Sequence, residues 1–410
     1  MGKKLLVAQS GGPTSAINAT LAGIIEAAIQ NPEVSDVLGA RYGIQGVLRE
    51  QFLDLSGIEH IEDMLATLAV TPAAALGSCR FKLKDPAQDP SEFEELIRIF
   101  QKHEIGYFVY IGGNDSMDTV WKLSDYIKEH HIPDIVVVGA PKTIDNDLYG
   151  IDHCPGFGSA AKYIATSISE LERELEVYDT PYVIVVEMMG RNAGWLTAAA
   201  ALAESANSNV PYLIYLEERP FDLNDFISDL RGELAVGKDV IVAISEGICD
   251  RSGKMICDYA DRDQSTDAFG HTIATGAGKV LENAIRSNIG CKVRYIELNL
   301  LQRCAGHLLS ETDITESTEL GRNAVRLAVD GQNGVMSTLT RTSNHPYSVA
   351  YGAADIADIA DREKKVPDSW ITSEGNGVTE EMLEYLRPLV QGERSCKFEN
   401  GIPKYIVFNK

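Results

Sequence analysis

The sequence predicts an α/β protein of two doubly wound, mainly parallel sheets that face each other across a cleft. Three observations predict it. Short apolar runs alternate with segments of helical period, the pattern of strands joined by crossover helices. Several runs end in glycine, and these ends cluster before residue 160 and again near Gly190 and Gly247. The 410 residues are enough for more than one core.

In chain order, the run at 5–8 reads as a strand and 17–29 as the helix behind it. A helix over 92–100 begins behind Pro90-Ser91, a suitable cap. The runs at 108–111 and 135–138 have the length and apolarity of buried strands. Further strands are predicted over 182–186, 212–216, 240–244, 294–298 and 405–408. Helices are predicted over 160–175, 193–206, 221–234, 273–285, 320–329 and 380–389. The stretch 347–361 is apolar and acidic with helical spacing, and Tyr351 within it either packs or reaches a ligand. No Gly/Ser-rich or Pro-rich linker marks the boundary between the lobes, and no short-period repeat appears.

Composition narrows the function. Hydrophobic content of 44% and charged content of 24% are those of a soluble globular protein. The 37 basic against 60 acidic residues give a formal charge of -23, which argues against nucleic acid or an anionic membrane as partner. Any anion site must therefore be made by a few local cations. The 7 cysteines show no CxxC pair or zinc-like spacing, as expected of reduced thiols in the cytoplasm. Met1-Gly2-Lys3-Lys4 runs straight into the first strand, and no signal peptide or membrane span is expected.

Three strand ends carry chemistry. The first strand runs into Gln9-Ser10-Gly11-Gly12-Pro13-Thr14-Ser15. The strand at 108–111 runs into Gly112-Gly113-Asn114-Asp115-Ser116, with a helix due near Ser116. Paired glycines let backbone approach a phosphate, and a helix N-terminus favours an anion. The third end is Pro141-Lys142-Thr143-Ile144-Asp145-Asn146-Asp147. Ligands of parallel sheets lie outside the carboxyl ends of strands. A carboxylate there can take a proton from a hydroxyl, and a lysine can hold a phosphoryl oxygen. Standard nucleotide motifs are missing: no GxGxxG follows a strand, Pro141 spoils a P-loop reading at Lys142-Thr143, and Val280 spoils one at Gly278-Lys279.

These segments, with others in the same order, resemble the phosphofructokinase family. The others are Gly77-Ser78-Cys79-Arg80-Phe81, Glu187-Met188-Met189-Gly190-Arg191, Ser245-Glu246-Gly247, and Arg294 with Gln302-Arg303. The resemblance implies two Rossmann-like lobes with the active site between them. It places 1–158 with about 303–360 in a phosphoryl-donor lobe, and about 159–302 with 361–410 in a sugar-phosphate lobe. ATP-using members usually carry glycine where this chain has Asp115 and Lys142, so the chain is more similar to the diphosphate-using branch. A carboxylate at 115 repels the α-phosphate of ATP, and a lysine at 142 pairs with diphosphate oxygens.

The resemblance implies reversible transfer from diphosphate to the 1-hydroxyl of fructose 6-phosphate, a step of glycolysis and gluconeogenesis, with Mg2+ as cofactor and a homodimer or homotetramer as assembly. Asp145 is the expected base and Asp147 positions the metal or the base. Thr143 bonds the transferring group, and Lys142, Arg80 and Arg191 neutralise it. Gly11, Gly12, Gly112 and Gly113 cradle the diphosphate beside Asp115. Met189, Gly190, Arg191 and Glu246 line the sugar, and Arg294 and Arg303 grip the 6-phosphate. The alternatives are an ATP-dependent 6-phosphofructokinase and a non-catalytic sugar-phosphate sensor, with sedoheptulose 7-phosphate open as a further acceptor.

Departures from the family pattern carry expectations of their own. Asn114 replaces a metal-site aspartate, so Asp115 or Asp147 is expected to hold the ion. Leu300 replaces a histidine and Tyr182 an arginine that reaches a neighbouring subunit's sugar phosphate. The first helix lacks the effector-site arginines, so weak allosteric control is expected.

Overall fold

The computed structural model describes residues 2–57, 61–204, 210–259, 276–360 and 362–408. The first lobe opens with β1 (Lys3–Gln9), α1 (Ile17–Gln30), β2 (Val34–Ala40), α2 (Gly43–Leu48), β3 (Phe52–Asp54) and α3 (Ile61–Ala69). It continues through α4 (Ser91–His103), β4 (Ile105–Gly112), α5 (Asn114–Glu129) and β5 (Val136–Pro141), and the long α6 (Phe157–Leu175) then packs its apolar face into the core of the second lobe. The second lobe holds β6 (Tyr182–Met188), α7 (Trp195–Ala198), β7 (Tyr212–Tyr215), α8 (Leu223–Val236), β8 (Asp239–Ser245), α9 (Ala277–Asn288), β9 (Lys292–Glu297) and α10 (Leu301–Cys304). The chain then returns through β10 (Leu309–Ser310), α11 (Glu311–Val329), β11 (Val335–Asn344), β12 (Tyr347–Asp355), α12 (Glu380–Leu386) and β13 (Glu393–Arg394).

The larger sheet has the order β12-β11-β5-β4-β1-β2-β3. Its five inner strands are parallel, and β3 and β12 close the edges antiparallel. The smaller sheet, β7-β8-β6-β9, is parallel throughout. β4, β6 and β8 are buried along their whole length, which is why each reads as a continuous apolar run rather than an alternating one. From β1 the chain crosses to β2 on one side, while β4 lies on the other. The crevice therefore opens at the carboxyl ends of β1 and β4, where the glycine loops begin.

Two contacts hold the frame together. On the back of the larger sheet α1 and α11 meet through glycines: a Cβ on Gly23 would lie 2.0 Å from the Thr318 carbonyl oxygen, and one on Gly321 2.2 Å from that of Thr20. At the junction of the lobes, buried Asp313 on α11 accepts from the Gly156 and Ser159 backbone N–H groups at the start of α6, at 2.9 and 3.0 Å. Those are donors that a helix start leaves without partners.

The structure departs from the sequence-based expectations in three places. The helix expected over 193–206 is broken into α7 and a 3-10 turn at Ala199–Ala203, and its last two residues lie outside the described residues. The first three residues of the helix expected over 273–285 also lie outside them. The stretch 347–361, expected to be helical, forms the edge strand β12 up to Asp355, because pairing with β11 overrides its apolar spacing; Asp361 is not described, and Tyr351 packs on the first-lobe core. Residues 405–408 form no strand. Ile406 N–H bonds the Thr71 hydroxyl at 3.0 Å, Arg41 bonds the Phe408 carbonyl at 3.1 Å, and their side chains join the first-lobe core. The chain's end thus packs with the first lobe, unlike the expected grouping of 361–410 with the second.

Gly23→Val should destabilise the protein by about 3 kcal/mol, since the added side chain must push α11 off α1. Denaturant melts read this directly, and a change under about 0.5 kcal/mol would show that the helix pair yields freely.

Candidate active site

The loop after β5 is anchored before it does any chemistry. Lys142 N–H donates to the Gly112 carbonyl at 2.9 Å, which sets the loop against the end of β4. The Lys142 side chain then turns inward, 3% exposed, and its Nζ donates to the Gly12 carbonyl at 2.7 Å. Glycines leave it room. Gly11 has φ of +76°, and a Cβ there would sit 3.2 Å from Lys142 Nζ. A Cβ on Gly12 would sit 3.0 Å from Arg303 Nη1. Two cations therefore converge on the first glycine loop.

The Gly11 N–H does not face the cavity, contrary to the expected cradle; it donates to the Cys79 carbonyl at 3.1 Å, while Ser78 Oγ donates to the Gly11 carbonyl at 2.6 Å. This pairing holds the 77–80 segment against the loop and delivers Arg80 to the cavity. Gly112 ends β4 and is not part of the cavity wall. Its missing side chain makes space for Ser116, whose Oγ would lie 1.9 Å from a Cβ. Among the described residues the N–H groups of Gly12 and Gly113 have no partner within the chain, and both residues line the cavity.

Asn146 is the post on which the acidic part of the loop turns. It takes a left-handed φ of 56° and is fully buried. Its Nδ2 donates to Tyr385 Oη at 2.9 Å and its Oδ1 accepts from Cys154 N–H at 3.0 Å. Asp145 and Asp147 on either side face the cavity, and Thr143 Oγ1 accepts from Asp145 N–H at 3.1 Å. At the start of α5, Asn114 Nδ2 donates to Asp147 Oδ2 at 3.1 Å. Asp115 lies 3.9 Å from Lys82 Nζ, a loose pair half open to solvent.

The second lobe supplies the facing wall from the ends of β6 and β8. Met189, Arg191 and Glu246 reach the cavity. Glu246 N–H bonds the Met188 carbonyl at 2.9 Å, and a Cβ on Gly247 would meet the Arg191 carbonyl at 2.0 Å, so these two loops are in direct contact. Gly190 shapes its turn with φ of +116° and does not line the cavity. The space enclosed is about 700 Å³, with Arg303 closing it on the first-lobe side. Arg294 is not brought there. It is exposed on edge strand β9, with its guanidinium at the Tyr182 phenol.

The phosphofructokinase family profile matches residues 4–328. The chain belongs to the phosphofructokinase family. It is 42% identical over 98% of its length to the pyrophosphate–fructose 6-phosphate 1-phosphotransferase of Xanthomonas campestris, covering 95% of that protein. The enzyme of the same name from Halomonas elongata is 40% identical over 97% of this chain and 94% of its own. Among solved structures, the pyrophosphate-dependent phosphofructokinase of Nitrosospira multiformis superposes with a TM-score of 0.89 at 36% identity, over 99% of this chain and 96% of that one.

Charge in this phosphofructokinase cavity is tightly opposed. Loss of water on burial pushes Asp145 up to about 7, and Asp147 beside it pushes the same way, against Lys142, Arg303 and Arg191. Burial lowers Lys142 to about 8, resisted by Asp145 and Asp147 and reinforced by Arg303 and Arg80. Burial, then the charge of Asp145, raises Glu246 to about 8. Burial also raises Asp147 and lowers Arg303. Perturbed groups of both signs in one cleft are what proton transfer beside phosphoryl groups requires.

A divalent cation is tested by the donor set. Among the described residues no group of 3 or more His, Cys, Asp and Glu side chains could hold one. Asn114 Oδ1, however, is a buried acceptor without a partner, on the side chain that bonds Asp147. An amide oxygen and a carboxylate fit Mg2+, which typically takes one or two protein oxygens and completes its shell with water and substrate phosphate. Arg362 and Glu363 also line the cavity, where the sequence assigned nothing. They lie beyond every recognised motif, and no local pattern marks them.

The free protein's kcat/KM should rise with pH as Asp145 ionises near about 7 and fall as Lys142 loses its proton beyond about 8. Lys142→Met removes the attraction that holds Asp145 down, so its pH–rate profile should lose the alkaline limb and its acid limb should move to higher pH. An unmoved acid limb would show that the two groups are not coupled.

Proposed function

We propose that this protein transfers a phosphoryl group reversibly from diphosphate to the 1-hydroxyl of fructose 6-phosphate, giving fructose 1,6-bisphosphate and phosphate. The observation that carries the reading is Lys142, a buried cation bonded to the Gly12 carbonyl and set between the glycine loop and the Asp145–Asp147 carboxylates. The names of the relatives in Xanthomonas and Halomonas support the same reaction.

Phosphoryl transfer needs alignment and charge neutralisation more than covalent chemistry. Gly12 and Gly113 present backbone N–H groups to the diphosphate. Lys142, Arg80, Arg191 and Arg303 neutralise its oxygens from several sides of the cavity. Asp145 accepts the 1-hydroxyl proton, and Thr143 holds the transferring group. Glu246 and Met189 set the sugar from the second lobe. Arg303 grips the 6-phosphate; its presence in the cavity lining, and the absence of Arg294 from it, support that choice. Asn114 and Asp147 would hold Mg2+, which supplies further charge neutralisation on the phosphate oxygens. Asp115 stands at the first turn of α5, where it repels a longer polyphosphate donor.

Purified protein with fructose 6-phosphate, Mg2+ and either diphosphate or ATP should turn over diphosphate; a clear preference for ATP would reject the donor assignment, and no turnover with either would favour a sensor. Asp145→Ala should lower kcat by about 10³-fold with the fold intact. Near-normal turnover would reject it as the base. The double change Asp115→Gly with Lys142→Gly should weaken diphosphate use, and improved diphosphate turnover would reverse the reading.

A further inference from the structure

The cavity is closed by a segment outside the family match, which ends at residue 328. Arg362 and Glu363 face the cavity, and residues 363–366 tie the two lobes together. Toward the first lobe, Lys364 N–H donates to the Asp147 carbonyl at 2.7 Å, and Glu363 bridges Leu148 in antiparallel fashion. Lys364 Nζ donates to Asn146 Oδ1 at 3.2 Å, the Ile151 carbonyl at 3.2 Å and the Asp152 carbonyl at 2.6 Å. Toward the second lobe, the Lys364 carbonyl accepts from Trp195 Nε1 at 2.8 Å, and Val366 N–H donates to Glu218 Oε1 at 3.0 Å. The Glu218 carboxylate also holds the Gly194 N–H. Glu363 Oε1 accepts from Asn192 Nδ2 at 2.6 Å, on the residue next to Arg191.

We propose that Lys364 is a positioning residue, a buried ammonium that locks the Asp145–Asp147 loop in register with the Met189–Asn192 loop across the cleft. The ammonium has as many N–H donors as there are oxygens converging on it, so it is satisfied where it lies. Burying a charge is costly, and an apolar side chain of similar length would stabilise the core at less cost. What the lysine adds is direction. It grips Asn146, the post between the two cavity carboxylates, while its own carbonyl is held by Trp195 of the second lobe. Base and sugar-binding side chains come from different lobes, and a misplacement of about 1 Å between reacting groups can cost on the order of 10²-fold in rate.

The inference rests on the phosphotransfer reading, and its test separates the two. Full-length Lys364→Met is compared with the unaltered protein by steady-state kinetics with diphosphate and fructose 6-phosphate, and by amide hydrogen exchange. The expected result is a kcat lower by about 30-fold or more, with both KM values within about threefold. Exchange should quicken over 145–154 and not over β6. A kcat within about twofold of the unaltered protein overturns the proposal, as does faster exchange spread through both lobes, which marks a plain structural staple. If the unaltered protein fails to use diphosphate, the phosphotransfer reading fails, and local loosening in the exchange data still decides the locking. Should Lys364→Met not fold, Lys364→Arg keeps the charge but replaces the compact ammonium with a planar fork. It should lose about tenfold in kcat at unchanged KM, and wild-type turnover there overturns the proposal equally.

Discussion

A lysine ammonium held out of water at the end of a parallel strand is the constraint on which the rest of the site depends. Lys142 can stay charged there only because the Gly12 carbonyl and two carboxylates surround it. That requirement explains the glycines, since side chains at Gly11 and Gly12 would crowd Lys142 and Arg303. It also explains the spacing of the loop, which returns Asp145 and Asp147 to the cation that begins it. The same burial that weakens Lys142 as a cation strengthens Asp145 as a base, because both charges lose water together and each is then set by the other.

Around this pair the protein concentrates positive charge against its own average. A chain with a formal charge of -23 repels phosphates at long range, yet Arg80, Arg191, Arg303 and Lys142 meet in one cavity. They arrive from separate elements: the segment tied to the first glycine loop, the turn after β6, α10 and the loop after β5. Their convergence holds only while the two lobes keep their spacing. Asp313 of α11, bonded to the start of α6, and the strap around Lys364 both join the lobes.

Much of this was legible in the order of residues. β1, β4, β5, β6 and β8 announced themselves because strands covered on both faces are continuously apolar. The three glycine- or lysine-bearing strand ends followed from them, and the structure gathers them at one crevice. β2, β11 and β12 were missed because their sequences mix polar and apolar residues. In β11 the hydroxyl of buried Ser337 donates to the Leu320 carbonyl and accepts from Asn323, so a polar residue is at home where an apolar one was expected. The site residues between 10 and 303 were read from motifs, while Arg362, Glu363 and Lys364 were not, since their role arises from contacts with residues more than a hundred positions earlier.

The sequence by itself determined the class of fold, the glycine- and lysine-bearing strand ends, and the acid at 115 and amine at 142 where ATP-using members usually carry glycine. It could do so because each is a local matter: burial of a short run, backbone freedom at a glycine, charge at a fixed offset. Only the tertiary structure decided which groups meet. It turned the Gly11 N–H inward to Cys79, left Arg294 on an exposed edge, brought Arg303 against Gly12 and placed the C-terminal strap beneath the Asp145 loop. Direction and proximity across a cleft depend on how two sheets twist and pack, and no stretch of chain carries that by itself.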